Sequence, residues 1–437
     1  MQGGRDNPGR SPRIVSVAPD DLRQRAADGE PLALHQLGLW HAARQQWPQA
    51  LELLSRADGA GHADAQAWLA LHALYGWGGS ADPARALALF ESAEARGSGE
   101  AMYQLAHLAW CDRLVRRDPA RMISRLQAAA LADHPGALRA MAMVYACSPA
   151  QDALSQACLA RAAALDDRLA LYLLGRRWLQ QGDPRQRAAA QGLLALAGAM
   201  GLPRATALHA PGHPPQRISA PRLTALPMPV SGGNPITTAQ VHHAQPLVET
   251  CDGAWTAEEC EYLIASAEPF LHRSVTVTAD GRHVPHDDRT SSDASLLGVR
   301  EDFVARWLQS RMTDRLRVPL SHAEHLVVLR YLPGQEYRPH CDWLPPGARG
   351  NLPGAEHPGQ RVHTVFCYLN DVAEGGATDF PQLGVRVEPR RGRIVHFTNL
   401  RADGSGDPST LHSGLPVVAG EKWLATLWTR VRPCRAY

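Results

Sequence analysis

His340 and Asp342 stand two residues apart at the end of the stretch Tyr331-Leu-Pro-Gly-Gln-Glu-Tyr-Arg-Pro-His-Cys-Asp342. On a strand, residues i and i+2 point to one face, so an imidazole and a carboxylate would converge there. A neutral nitrogen with one charged oxygen suits Fe(II) and leaves room for a third ligand. His412, far along the chain, is the best candidate, and Lys422 follows ten residues later in Gly-Glu-Lys-Trp. Together they read as a facial triad of two histidines and one carboxylate, with a cation placed to hold an acidic cosubstrate. Three ligands on one face of an octahedral iron leave positions for a chelating 2-oxo acid and for O2. The distal carboxylate of a 2-oxo diacid must be neutralised once it leaves water. Lys422 can do this as a point charge, and Tyr331 and Thr378 can add hydroxyl donors. A lone His-x-Asp would be a weak signal, since a hydrogen-bonded His–Asp pair is common; the distal His and Lys make it specific.

The rest of the chain must supply a scaffold for these groups. At 437 residues it is too long for one typical domain, and two or three are expected. Apolar content of 45% with 20% charged residues is that of a water-soluble globular protein. A net charge of +2 gives no electrostatic footprint for nucleic acid or an anionic membrane. No stretch offers about 18 uninterrupted apolar residues, so no membrane span is expected, and the polar N-terminus lacks a signal-peptide core. The eight cysteines show no Cys-x-x-Cys pair, which argues against a zinc module or disulfide framework. A reducing cytoplasm fits both the thiols and Fe(II).

Residues 1–30 are polar and read as a loose arm leading into a first helix. From 31 to 206 the chain is Ala- and Leu-rich, with apolar residues recurring at three and four. Prolines at 48, 83, 119, 149 and 184 each open a helical run, at spacings near 35. Asp82-Pro-Ala-Arg85, Asp118-Pro-Ala-Arg121 and Asp183-Pro-Arg185 repeat one start signal. Asp accepts from the first free amides as N-cap, and Pro at the next position lacks a donor that would be wasted there. The period predicts an α-solenoid of helix pairs. Its Leu-Gly and Ala positions (Leu37-Gly38, Ala86, Ala93, Gly97, Leu105, Ala129, Leu174-Gly175) resemble tetratricopeptide or Sel1-like repeats. Residues 207–245 are Pro-rich and read as a linker merging into an edge strand or wrapping the second domain. From 246 to 437 the pattern turns to short strands. The capping box Thr256-Ala-Glu-Glu259 opens a helix to about Ala267, and a second is expected over Asp302–Arg315. Apolar runs at Leu326–Tyr331, Thr364–Leu369, Val385–Val387, Ile394–Phe397, Leu415–Val418 and Trp423–Val431 suggest a double-stranded β-helix, or jelly roll.

The order and spacing of several motifs carry a family resemblance. They run through Arg289-Thr-Ser291, Tyr331-x-x-Gly-Gln-x-Tyr337-x-x-His340-x-Asp342 and Arg361-x-x-Thr364-x-x-x-Tyr368-Leu-Asn-Asp371. They continue in Gly375-Gly-x-Thr378-x-Phe-Pro381 and Gly392-x-Ile-Val-x-Phe397. Asp407, His412, Val417, Lys422-Trp423 and Trp428 complete the series. Residues 246–437 thereby resemble the prolyl 4-hydroxylase group of Fe(II)/2-oxoglutarate-dependent dioxygenases. The resemblance implies iron on His340, Asp342 and His412, with 2-oxoglutarate on Lys422, Tyr331 and Thr378. It also implies O2 as cosubstrate, L-ascorbate as the reductant that rescues oxidised iron, and a peptidyl proline as target, with release of succinate and CO2. Glu324, Arg361 and Trp428 match family substrate contacts, although the first two equally read as a structural ion pair and the third as core. Trp343–Gln360 is a Pro/Gly-rich departure from the pattern, read as a loop able to close over a substrate. His357, His363 and His396 lack a partner at metal spacing and read as structural or solvated; Cys341 reads as packing. The repeats would offer a concave docking surface for a peptide or protein. Other readings are hydroxylation of a free amino acid or natural-product peptide, and a non-catalytic repeat scaffold with a relic barrel.

Overall fold

A computed structural model describes residues 20–230, 238–277, 283–284, 287–344 and 358–437. Most of the N-terminal arm and of the 343–360 loop lies outside the described residues, as does His357. The chain forms two compact units. One comprises Met1–Ser231 with Leu297–Arg306 and Tyr437; the other comprises Gly232–Leu296 and Trp307–Ala436.

The first unit is built from the Asp-Pro starts. Asp82 accepts from Arg85 N at 3.0 Å, Asp118 from Arg121 N at 3.1 Å and Asp183 from Arg185 N at 2.9 Å. Each cap begins a helix in a series of α1 Asp20–Ala27, α2 Pro31–Ala42, α3 Trp47–Gly59, α4 Ala63–Tyr75, α5 Pro83–Ala95 and α6 Gly99–Leu108. The series continues with α7 Pro119–Leu131, α8 Pro135–Tyr145, α9 Asp152–Ala164, α10 Arg168–Gln181, α11 Pro184–Ala199 and α12 Pro203–Leu208. Pro149 opens a 3-10 turn, Pro149–Gln151, so α9 itself starts three residues later than its proline. Helices adjacent in sequence pack on one another, giving the expected solenoid. Small residues set the spacing: a Cβ at Gly38 would meet Leu54 Cγ at 3.0 Å, and Ala65, Ala67 and Ala70 are fully buried. After α12, residues 209–230 carry no regular structure and run along the repeats, bonded to them, rather than around the second unit.

The second unit contains the strands. In chain order they are β1 Gln240–Ala244, β2 Leu247–Cys251, β3 His272–Arg273, β4 Thr276–Val277, β5 His283–Val284, β6 Ser292–Leu296, β7 Leu326–Tyr331 and β8 Tyr337–His340. Then come β9 Arg361–Tyr368, β10 Glu374–Gly375, β11 Thr378–Phe380, β12 Val385–Val387, β13 Ile394–Thr398, β14 His412–Gly414, β15 Val417–Ala419 and β16 Lys422–Arg430. An eight-stranded antiparallel sheet has the order β1-β2-β13-β9-β16-β7-β6-β3, and a four-stranded one the order β12-β11-β14-β8. The core lies between them: Leu329, Phe366, Tyr368, Val395 and Leu424 from the large sheet meet Phe380, Val385 and Val387 from the small one. This is the double-stranded β-helix.

Helix α13, Ala257–Ala267, begins at the capping box: Glu259 N donates to Thr256 Oγ1 and Thr256 N to Glu259 Oε2. Helix α14 runs Phe303–Arg315. Of the run read as one strand over Leu415–Val418, only Val417 and Val418 are strand, in β15; Leu415 and Pro416, the latter without a ladder donor, separate it from β14.

Candidate active site

β14 lies against β8 with His412 opposite His340, so the small sheet itself brings the two imidazoles together, ring centroids 4.3 Å apart. Asp342 is not on the strand. It sits just past the end of β8, where the chain bends and turns the carboxylate toward both rings. Its Oδ1 is 3.8 Å from His340 Nε2 and its Oδ2 is 3.7 Å from His412 Nε2. All three ligand atoms lie within 4.8 Å of one another.

The second nitrogen of each ring fixes what the first can do. His340 Nδ1 donates to Arg338 O at 2.8 Å and His412 Nδ1 to Thr410 O at 3.0 Å. With Nδ1 engaged as donor, each Nε2 presents its lone pair inward, the arrangement metal-ligating histidines use. Tyr337 stacks on His340 at 3.5 Å between centroids, and Phe380 and Phe397 flank His412. The carboxylate is oriented as well: Thr364 Oγ1 donates to Asp342 Oδ2 at 2.7 Å and itself accepts from Asn399 Nδ2 at 2.9 Å. Burial, followed by the neighbouring His412 ring, lowers the basicity of His340. Burial alone would raise Asp342, but the His412 and His340 rings and the Arg361 guanidinium outweigh it and hold its carboxyl below the usual range. Two neutral nitrogens and one carboxylate, all orientated toward one point, fit a divalent transition metal.

Lys422 opens β16 directly opposite Tyr331 on β7. It is 1% exposed, and no carboxylate among the described residues pairs with it. Its Nζ lies 5.0 Å from the Tyr331 ring centroid and 5.6 Å from that of Tyr368. Glycines make the space it needs: a Cβ at Gly376 would stand 3.2 Å from Lys422 Cδ, and one at Gly414 would stand 3.5 Å from Nζ. Gly414 is two residues along β14 from His412, one pleat repeat or roughly 7 Å, the scale of a five-carbon diacid. Burial pushes the ammonium pKa down to about 7. A buried cation with no counter-charge is costly, so this site is built to receive an anion. Thr378 lies on β11, its Oγ1 2.7 Å from Tyr368 Oη.

Glu324 and Arg361 form a bidentate ion pair, 2.7 and 2.8 Å, and Arg430 adds a second guanidinium on Glu324 at 2.7 Å. The Arg361 guanidinium lies 4.0 Å from the Trp428 ring centroid and reaches Asp342 O at 3.5 Å. These three residues thus form one cluster joined to the triad. His363 and His396 belong elsewhere, in a chain from His363 Nδ1 through His396 to Glu249 and Arg315. Thr364 and Asn399 had no role assigned from sequence. Thr364 could have been found as the one aliphatic hydroxyl on the inward face of β9, in step with Phe366 and Tyr368; Asn399 carries no such signal.

Comparison with known proteins decides the family. Residues 326–430 match the family model of the 2OG-Fe(II) oxygenase superfamily. Over 207 residues the chain is 35% identical to probable prolyl 4-hydroxylase 10 of Arabidopsis thaliana, covering 43% of this chain and 70% of that protein. The chain belongs to the prolyl 4-hydroxylase family of 2-oxoglutarate–Fe(II) oxygenases. Probable prolyl 4-hydroxylase 3 of the same plant is 36% identical over 194 residues, which is 40% of this chain and 66% of that relative. The family match lies in the barrel, and the triad, Lys422 and Tyr331 all fall inside it. Among solved structures, a Sel1 repeat protein from Oxalobacter formigenes is 25% identical over 43% of this chain and 57% of its own, with a TM-score of 0.34. Of the described residues, no helix is long and apolar enough to cross a membrane.

Proposed function

We propose that this prolyl 4-hydroxylase homologue hydroxylates a prolyl residue in a peptide or protein, using Fe(II), 2-oxoglutarate and O2. The observation that carries the reading is the pairing of a complete, pre-oriented ligand triad with a buried lysine that has no counter-ion among the described residues. When bound, Fe(II) supplies the open coordination positions at which 2-oxoglutarate and O2 react to give succinate, CO2 and a hydroxylated product. His340, Asp342 and His412 would hold the metal, while Asn399 and Thr364 fix the carboxylate that completes the face. Lys422 would neutralise the distal carboxylate of 2-oxoglutarate, with Tyr331 and Thr378 as hydroxyl partners. Sheet packing around them excludes water, which strengthens that ion pair. Arg361, held by Glu324 over Trp428 and touching the Asp342 backbone, would form the wall that receives the substrate. L-Ascorbate would serve as reductant after uncoupled turnover. We place the protein in a reducing compartment such as the cytoplasm; its eight cysteines are all unpaired. The solenoid would supply a docking surface for the peptide-bearing partner.

Metal and cosubstrate binding can be tested without knowing the partner. Anaerobic addition of Fe(II) and 2-oxoglutarate should give a visible charge-transfer band, absent in His412→Ala and Asp342→Ala. Proline-containing peptides should then stimulate succinate release in air. A folded wild-type protein that gives no band would overturn the assignment.

A further inference from the structure

Residues 211–230 form a strap with a regularity of its own. Ala220, Leu223, Leu226 and Pro229 are half-buried against the repeats, while the pairs between them, Pro221-Arg222, Thr224-Ala225 and Pro227-Met228, are exposed. Burial every third residue is the signature of a polyproline II helix, which has three residues per turn and one side in three facing down. Among the described residues, no backbone group from 217 to 230 bonds to another backbone group, as that conformation requires. The strap enters over Gly192, whose carbonyl accepts from Gln216 N at 3.0 Å; a Cβ there would lie 2.6 Å from Gln216 Cβ.

The repeats read the strap's main chain at its far end. Pro227 and Pro229 have no N–H, so Leu226-Pro-Met-Pro229 presents mainly carbonyls, and the helices answer with donors. Gln127 Nε2 forks across Leu226 O and Pro227 O at 3.0 and 2.8 Å, and Tyr145 Oη donates to Pro227 O at 2.6 Å. Gln151 Nε2 donates to Met228 O at 3.1 Å, while its Oε1 accepts from Val230 N, just beyond the second proline, at 2.8 Å. Tyr145 is 0% and Gln151 6% exposed under the strap. Upstream, Arg161 donates to Ala220 O at 2.9 Å. A structural staple needs buried apolar area, whereas this segment leaves Met228 57% and Val230 56% exposed. Two side-chain ties fix its upstream half, Arg217 on Asp166 at 2.8 Å and Arg222 on Asp133 at 3.3 Å; its Leu226–Val230 end is held by main-chain contacts that any extended peptide of the same pattern can reproduce.

We propose that the face formed by α7, α8 and the turn before α9 is a binding site for an extended Leu-x-x-Leu-Pro-x-Pro segment of another protein, and that the strap is its intramolecular competitor. Preformed polyproline II peptides lose little entropy on docking, which suits a shallow site with few anchors. A tethered occupant at an effective concentration on the order of millimolar would keep the site closed to all but strong or abundant partners. The inference stands on the repeats alone and does not depend on the activity of the barrel.

The test uses the full chain and a fluorescent peptide spanning residues 219–230. In Leu223→Ser/Leu226→Ser, which loosens the strap without touching the reading groups, the peptide should bind at least tenfold more tightly than to wild type. Adding Gln151→Ala should reverse that gain, and a peptide with its prolines replaced by alanine should bind at least tenfold more weakly. Should the double variant lose its helical circular dichroism, Leu223→Ala carries the same comparison, with about a threefold gain expected. A folded loosened variant that binds no better than wild type, or that binds both peptides alike, overturns the proposal.

Discussion

Lys422 is a residue whose chemistry departs far from its ordinary behaviour. Burial lowers its pKa to about 7, whereas the distal carboxylate of 2-oxoglutarate would favour the ammonium and raise it again. Above pH 7 the free site must therefore take up a proton to bind the cosubstrate. The dissociation constant for 2-oxoglutarate should rise with pH between 7 and 9, by up to tenfold per unit. Lys422→Met should abolish this dependence and weaken binding by about two orders of magnitude, the loss expected from deserting a buried carboxylate. Its effect on stability has the opposite sign. The folded pKa lies below the unfolded one, so the charged form is penalised on folding, the penalty is complete below pH 7 and fades as pH rises toward 10.5. Lys422→Met without cosubstrate should melt higher than wild type at pH 6. Anaerobic titration of the absorption band and a melting curve at two pH values check both. The triad and this lysine were legible because metal and carboxylate chemistry demand particular residue types at strand spacing. Asn399 was not, because an amide that acts through Thr364 on Asp342 is defined only by neighbours the fold supplies.

At the scale of elements, the local signals were the readable ones. Asp-Pro starts and the Thr256–Glu259 box are satisfied within four residues, so their chemistry is written in consecutive letters. The His-x-Asp spacing pointed to a strand, yet β8 ends at His340, and the bend beyond it turns the Asp342 carboxylate toward the ring of His412 on the opposing strand. Turns of this kind lean on particular glycines. Gly392 precedes β13 at φ 76°, and a Cβ there would lie 2.2 Å from Trp255 O, while its own carbonyl accepts from Ala254 N. Gly404 has a similar φ of 82°, and a Cβ there would meet no atom within 4 Å. Gly404→Ala should cost only the left-handed backbone strain, about 1–2 kcal/mol. Gly392→Ala adds a clash with a carbonyl that cannot move without unseating α13, and should cost about 3 kcal/mol or more. Urea unfolding of the two variants, followed by tryptophan fluorescence, should separate them clearly; equal midpoints would show that the approach to Trp255 relaxes freely.

For the whole molecule, the sequence suggests a repeat domain followed by a barrel, but the chain is not divided so simply. Leu297–Arg306 and Tyr437 belong to the compact unit of the repeats, so the backbone passes from one unit to the other four times. Periodicity could not reveal this, since these ten residues and one carry no repeat signal and find their partners some 200 positions away. Arg139 on α8 shows what holds them. Its guanidinium bridges Asp167 and Asp302, the latter at 3.0 Å. Each aspartate also accepts from a backbone amide at a helix start, Ala170 N for α10 and Ala305 N for α14. Phe303 N donates to Tyr103 Oη beside this pair. Removing the guanidinium would leave two poorly solvated carboxylates facing each other, though their capping bonds offset part of the loss. Arg139→Met should therefore destabilise the protein by about 2–3 kcal/mol, toward the low end for a broken buried pair. Arg139→Lys should recover less than half of that, because a point charge cannot reproduce a fork that serves two carboxylates. The same geometry implies that deleting residues 1–206 would strip Asp302 and Phe303 of Arg139 and Tyr103. A truncated barrel would then report lost packing together with any lost docking. The point variants avoid that confusion: the midpoint of thermal unfolding should fall in Arg139→Met while the Fe(II)–2-oxoglutarate band at low temperature persists. An unchanged midpoint would mean that the bridge contributes nothing net, and that these residues are held in the repeat unit by packing alone.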